Sequence, residues 1–241
     1  MTPSSLSSAE LKRYEKHLTL PEIGKEGQEK LKNSKVLVLG AGSLGTPVLL
    51  YLTASGIGKI GIVDYDKIEE KNLQCQLLYG NKDVGKHKVI IARQRLTEMN
   101  PDVNFEILNL EIKKDNVQQI ISKYDLVIDT SNRFSSHYII DDACKKEGKV
   151  WIYSSIKGFH GELTVFNHHG GPAFRDIYPD EEVKKERSKP YKSGIIAVLP
   201  GLLGSIQVTE CIKILLNFGE ILSGKLLNID LKKNQYSVIR I

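Results

Sequence analysis

Three glycines and one aspartate carry the first chemistry this chain could do. Gly40, Gly42 and Gly45 stand in G-x-G-x-x-G spacing directly after an apolar run at 36–39, and Asp64 ends a second apolar run at 60–63. Glycines so spaced let the backbone turn tightly and approach a phosphate, and the third lets the next helix pack closely on the strand. Residues 46–55 read as that helix, whose amino end would offer unpaired N–H groups and a positive dipole to an anion. Asp64 could accept hydrogen bonds from a ribose. The set reads as a nucleotide site. It does not say which nucleotide.

Elements on either side must hold that site in place. Two short amphipathic helices, 11–20 and 26–31, precede the first strand. After Asp64, residues 66–79 read as a polar loop with helical turns, and 84–100 as a helix closed by Pro101. Strands are expected at 103–110, 125–129 and 150–154, with helices at 116–123 and 138–147. This alternation predicts an α/β fold, a Rossmann-like, mostly parallel sheet with helices on both faces. The pattern then changes. Residues 159–167 alternate like an antiparallel strand, 195–218 return to helix, and 226–230 with 236–241 form a hairpin, giving an antiparallel C-terminal extension. Residues 172–193 are charged, proline-containing and patternless, so a mobile loop is expected at about 168–194. One domain spanning 1–241 accounts for the whole pattern.

Composition limits the function class. The chain has 241 residues, 41% hydrophobic and 26% charged, so it can bury one good-sized core. No apolar run approaches ~20 residues, so no membrane span is expected. The polar start, without a signal-peptide core, points to a cytoplasmic protein. Three widely spaced cysteines, Cys75, Cys144 and Cys211, argue against a disulfide framework. Cys144 and Cys211 sit at apolar helix positions and read as packing residues. The net charge of +5 is dispersed in lysine pairs without interleaved aromatics, so no nucleic-acid partner is expected, whereas an acidic protein partner is favoured. His168-His169 reads as a loop pair, and Glu210 as a packing or dimer-contact residue.

Further segments join the glycine loop in a fixed order. Arg13-Tyr14 and His17-Leu18 precede it with LPEIGKEGQEKL at 20–31. Asp64, Asp66, NLQCQ at 72–76, Asp83-Val84-Gly85 and Lys88 follow, then Asn100-Pro101, DLVIDTSNRF, GELTVFN and LPGLLGSIQVTECIKILL. Together they resemble the ThiF/MoeB/HesA adenylyltransferases, relatives of the ubiquitin-activating enzymes, from about Arg13 to Arg240. The resemblance implies binding of ATP with Mg²⁺ and of the Gly-Gly tail of a small ubiquitin-like sulfur carrier. The carrier's terminal carboxylate would attack the α-phosphorus, release pyrophosphate and leave an acyl-adenylate. It also implies a homodimer, or a heterodimer with a paralogue. By the same resemblance, Gly40, Gly42, Ser43, Leu44 and Gly45 would meet the phosphates and Asp64 the ribose. Asp66, Asn72 and Gln76 would contact the nucleotide, and Lys88 would offset phosphate charge. The alternative for Asn72 is a cap on the next helix. Arg13 and Lys16 would join Lys88 and Asn132 in catalysis.

Four departures from the family pattern matter. Cys75 replaces the arginine of N-L-x-R-Q, a loss worth ~10³-fold or more by comparison with arginines in phosphoryl transfer. Lys16 replaces a second arginine, keeping the charge but losing the planar fork. Asn132 replaces the aspartate associated with Mg²⁺, which a neutral carbonyl oxygen holds less well; Arg133 lies beside it. The family's first zinc C-x-x-C pair would fall at Ala173 and Asp176, so no zinc is expected. Three readings follow: an adenylating enzyme, a degenerate non-catalytic partner subunit, and an ordinary NAD-dependent oxidoreductase that nothing outside 40–64 supports.

Overall fold

The computed structural model describes residues 4–131, 134–179 and 194–241. One eight-stranded sheet organises them. Strands β1 (Lys35–Leu39), β2 (Lys59–Val63), β3 (Asn104–Leu108), β4 (Leu126–Asp129) and β5 (Val150–Lys157) pair in parallel in the order β3-β2-β1-β4-β5. Strands β6 (His160–Phe166), β7 (Lys225–Asp230) and β8 (Gln235–Arg240) then extend the sheet antiparallel beyond β5.

The parallel strands are apolar on both faces because both are covered. Val36 and Val38 of β1 enter one core with helices α3 (Gly24–Asn33), α4 (Gly45–Ala54), α5 (Lys88–Met99) and α9 (Val198–Leu216). Leu37 and Leu39 enter the other with α6 (Val117–Ile121), α7 (Phe134–Lys146) and α8 (Phe174–Ile177). The fold expectation holds. By length and composition α9 could cross a membrane, a possibility the residue runs did not suggest. In the structure its buried Leu199, Leu203, Val208 and Cys211 pack into the core beside the sheet.

Several boundaries move for local reasons. The helix expected at 84–100 starts only at Lys88, because Gly85 adopts φ +85° and its N–H donates to the Ile68 carbonyl at 2.9 Å. The first amphipathic stretch divides into α1 (Ser8–Arg13) and α2 (Glu15–Leu18) around Tyr14. Strand β5 runs three residues past the expected Ser154, until Gly158 turns at φ +62°. Within the stretch expected to be mobile, α8 is ordered helix, and 180–193 lie outside the described residues.

The N-terminal motif clamps the site from behind. Asn100 donates to the Tyr14 hydroxyl at 2.8 Å and to the Thr53 carbonyl at 2.9 Å, tying α5 to α4. Gln28 donates to the Ser55 carbonyl and meets His17 Nδ1, each at 2.9 Å. These buried amides join the first helices to the end of α4 and fix the helix that follows the glycine loop.

Candidate functional site

A cavity of about 530 Å³ opens at the carboxyl ends of β1, β2 and β4, lined by Gly40, Gly42, Ser43 and Leu44. The strand order reverses between β1 and β4, and open α/β sheets bind ligands at such a point. Glycine is required twice in the loop. Gly40 has φ +106°, and a Cβ on Gly45 would lie 2.2 Å from the Gly40 carbonyl oxygen. Thr130 closes the turn by donating to the Leu39 and Gly40 carbonyls at 2.9 and 2.8 Å. No side chain caps α4; in its first turn Thr46 N–H reaches the Gly42 carbonyl at 2.9 Å and Pro47 carries no N–H, which leaves the Gly45 end of the helix toward the loop.

Asp64, Asp66 and Lys88 form one ionic cluster. Asp64 accepts from the backbone N–H of Ala41 and of Asp66, both at 2.8 Å, so one carboxylate braces the glycine loop and the segment after β2. Lys88 Nζ lies 3.0 Å from Asp66 and 3.9 Å from Asp64, with only 6% of its side chain exposed. The Asp83-Val84-Gly85 motif leads into α5, which begins at this lysine. Asp83 accepts from Gly80 N–H and pairs with Arg95 and Lys86. Although burial opposes it, these partners hold the Asp83 carboxyl below its ordinary value. Tyr79 donates to the Ala41 carbonyl at 2.9 Å; burial first, and then the Asp64 charge, push its phenol well above the usual range.

The segment after β2 forms the rest of the wall. Asn72 lines the cavity, and its carbonyl accepts from Cys75 and Gln76 N–H at 3.1 and 3.0 Å. Cys75 Sγ sits 2.9 Å from Ser43 Oγ, joining this segment to the glycine loop. Gln76 Oε1 and Ser131 Oγ are buried without a hydrogen-bond partner. Such groups are costly alone and mark where a polar ligand would fit.

The structure therefore gathers Gly40, Gly42, Ser43, Leu44, Asp64, Asp66, Asn72, Gln76 and Lys88 around one cavity, with Gly45 beneath it. It does not gather Arg13 and Lys16. Arg13 donates to the Met99 carbonyl at 3.2 Å, the Lys16 carbonyl accepts from Thr19, and neither lines the cavity of its own chain. Asn132 and its neighbour Arg133 lie outside the described residues. At the expected zinc positions, Asp176 accepts from Ala173 N–H at 2.7 Å and caps α8. No cluster of three potential metal ligands occurs among the described residues.

A second cavity, about 600 Å³, shares Leu44, Ser131 and Ile156 with the first. Its floor is one face of the antiparallel extension. Strand register sets Lys157, His160, Asp230 and Gln235 in one row across it, and Ser155, Glu162, Asn228 and Ser237 in the next. Glu162 accepts from the Tyr153 and Tyr178 hydroxyls at 2.8 and 2.7 Å. Sequence reasoning assigned none of these residues to a site, although it read 159–167 as an alternating strand; the polar alternation of β6 and β7 was the available signal. It also missed His137, on this wall, whose Nδ1 lies 2.7 Å from the fully buried Asp129.

With that geometry in place, comparison with known proteins is direct. The ThiF family model matches residues 14–241. The chain belongs to the ThiF family. It is 45% identical over 225 residues to a probable molybdopterin-synthase adenylyltransferase of Porphyra purpurea, covering 93% of this chain and 59% of that protein. It is 40% identical to a sulfur carrier protein adenylyltransferase of Thermus thermophilus, covering 92% of this chain and 83% of that one. The chain thus spans about three fifths of the first relative's length. Among solved structures, E. coli MccB matches with TM-score 0.83 at 22% identity, covering 95% of this chain and 71% of that one, a likeness of fold. The curated relatives are named adenylyltransferases, and the name implies a nucleotide substrate. The orphaned Gln76 and Ser131 oxygens and the glycine cradle fit a nucleotide. The described donors fit only a Mg²⁺ that keeps most of its ligands from phosphate and water.

Proposed function

We propose that this chain adenylates the C-terminal glycine of a small ubiquitin-like sulfur carrier. The observation that carries this reading is the junction of the two cavities at Leu44, Ser131 and Ile156. One side offers a phosphate cradle with Asp64 and Lys88. The other offers a groove broad enough for an extended Gly-Gly tail. The tail's carboxylate oxygen would attack the α-phosphorus at the junction, and the bond to pyrophosphate would break. Joining two anions demands charge neutralisation and alignment, which fall to Lys88, the α4 amino end and the rigid glycine loop. Bound Mg²⁺ would supply further neutralisation of the phosphates. Arg13 and Lys16, outside their own cavity, would serve only a site completed by a second chain, so the working unit we infer is a dimer.

Cys75 favours a second reading, a non-catalytic partner subunit, because a cysteine stands where the family keeps an arginine. ATP–pyrophosphate exchange with Gly-Gly-ended carriers decides between them. The enzyme reading predicts carrier-dependent exchange that Asp64→Ala and Lys88→Ala each lower by roughly 10²-fold or more. A partner subunit shows none until Cys75→Arg with Asn132→Asp raises it.

A further inference from the structure

The adenylation reading leaves a charge deficit at the phosphate end of the cavity. The described acids on its wall are Asp64, Asp66 and Glu111, and the described cations are Lys71 and Lys88. Lys88 is already shared between two carboxylates. A nucleoside triphosphate would add roughly four negative charges to a wall whose described residues hold more acids than bases. We propose that Lys71 is a phosphate-binding residue that moves from Glu69 to the nucleotide's phosphate chain. The proposal rests on the adenylation reading and assigns one more residue to it.

Local structure places Lys71 correctly. It lies in the short helical turn Glu70–Asn72, and the winding continues as Leu73 N–H reaches the Glu70 carbonyl at 3.1 Å. Cys75 and Gln76 N–H then both reach the Asn72 carbonyl. Lys71 and Cys75 both line the cavity, and Cys75 is fastened to Ser43 of the glycine loop. A cation at 71 thus covers the region that position 75 would serve if it carried charge.

The lysine is also free to move. Its side chain is 76% exposed, and its one ion pair, to Glu69 at 2.5 Å, has a partner that is 53% exposed. Exposed pairs of this kind hold weakly, and a flexible four-carbon stem carries a compact charge between partners. Lys88, nearly buried between its acids, cannot do this. The two lysines therefore divide the work: Lys88 supplies charge from a fixed place beside its carboxylates, and Lys71 follows the phosphates.

The test titrates the whole chain with ATP and with adenosine, in wild type, Lys71→Ala, Lys71→Arg and Lys71→Ala/Cys75→Arg, alongside exchange with a Gly-Gly carrier. A hydrogen bond to a charged group corresponds to about tenfold or more in affinity, so Lys71→Ala should weaken ATP by that factor. Adenosine binding should stay unchanged, Lys71→Arg should bind like wild type, and the added Cys75→Arg should restore ATP affinity. Glu69→Gln should tighten ATP by roughly two- to threefold by releasing the lysine. Equal ATP affinity in Lys71→Ala and an ATP-binding wild type overturns this assignment alone. Failure of the wild type to bind ATP overturns the adenylation reading and this assignment together.

Discussion

The two cavities share a wall but are built by different means. The first lies where parallel strands end in a tight loop. Its key groups, Asp64 and Lys88, are nearly buried and bonded to each other or to backbone. The second lies flat on antiparallel strands, where Lys157 and His160 stand exposed. A rigid, pre-paired pocket suits a ligand whose charge must meet fixed partners. An open polar face suits a peptide that arrives extended and is read along its length. Substitutions in the first should therefore change chemistry, and substitutions in the second should change affinity for a protein partner.

Lys88→Ala should break that contrast most severely. It leaves Asp64 and Asp66 without their cation and removes positive charge from the phosphate site. Exchange should fall by roughly 10²–10³-fold, by the scale of lost electrostatic donors, with carrier KM little changed. Steady-state exchange against both substrates would check it.

Asp83→Asn comes next and acts through stability. It removes the carboxylate that holds Arg95, Lys86 and Gly80 N–H, which should cost about 1–3 kcal/mol at pH 7. Because the folded carboxyl is held below its ordinary 3.8, its contribution is full above that value and is lost as pH falls through the lower folded value. The melting temperatures of variant and wild type should converge in acid. A gap that persists there would place the loss elsewhere.

The smallest effect belongs to the groove. Lys157→Ala should raise the KM for a carrier by a few-fold, in a salt-dependent way, and leave the KM for ATP unchanged. Equal changes in both would mean that the two cavities do not divide the substrates.

The same contrast explains what could be read in advance. The first cavity is written in short runs: Gly40 to Asp64 is one β-α-β unit, and Lys88 follows its loop closely. Tyr14 and Asn100 were visible as motifs, but their role as a clamp on α4 appears only when distant helices meet. The groove was not legible because its rows join residues far apart in sequence, such as His160 and Asp230, through strand register alone. Lys71 was hidden for a different reason. A surface lysine beside a glutamate looks ordinary until the winding of 70–76 sets it on the cavity wall.

The most direct measurement is ATP–pyrophosphate exchange with a Gly-Gly-ended carrier and with the same carrier shortened by its last glycine. Exchange with the intact tail and none with the shortened one is the expected result, since only the full tail reaches the junction at Ser131. Exchange that ignores the tail, or none with any carrier while ATP binds normally, would contradict the account of two joined cavities.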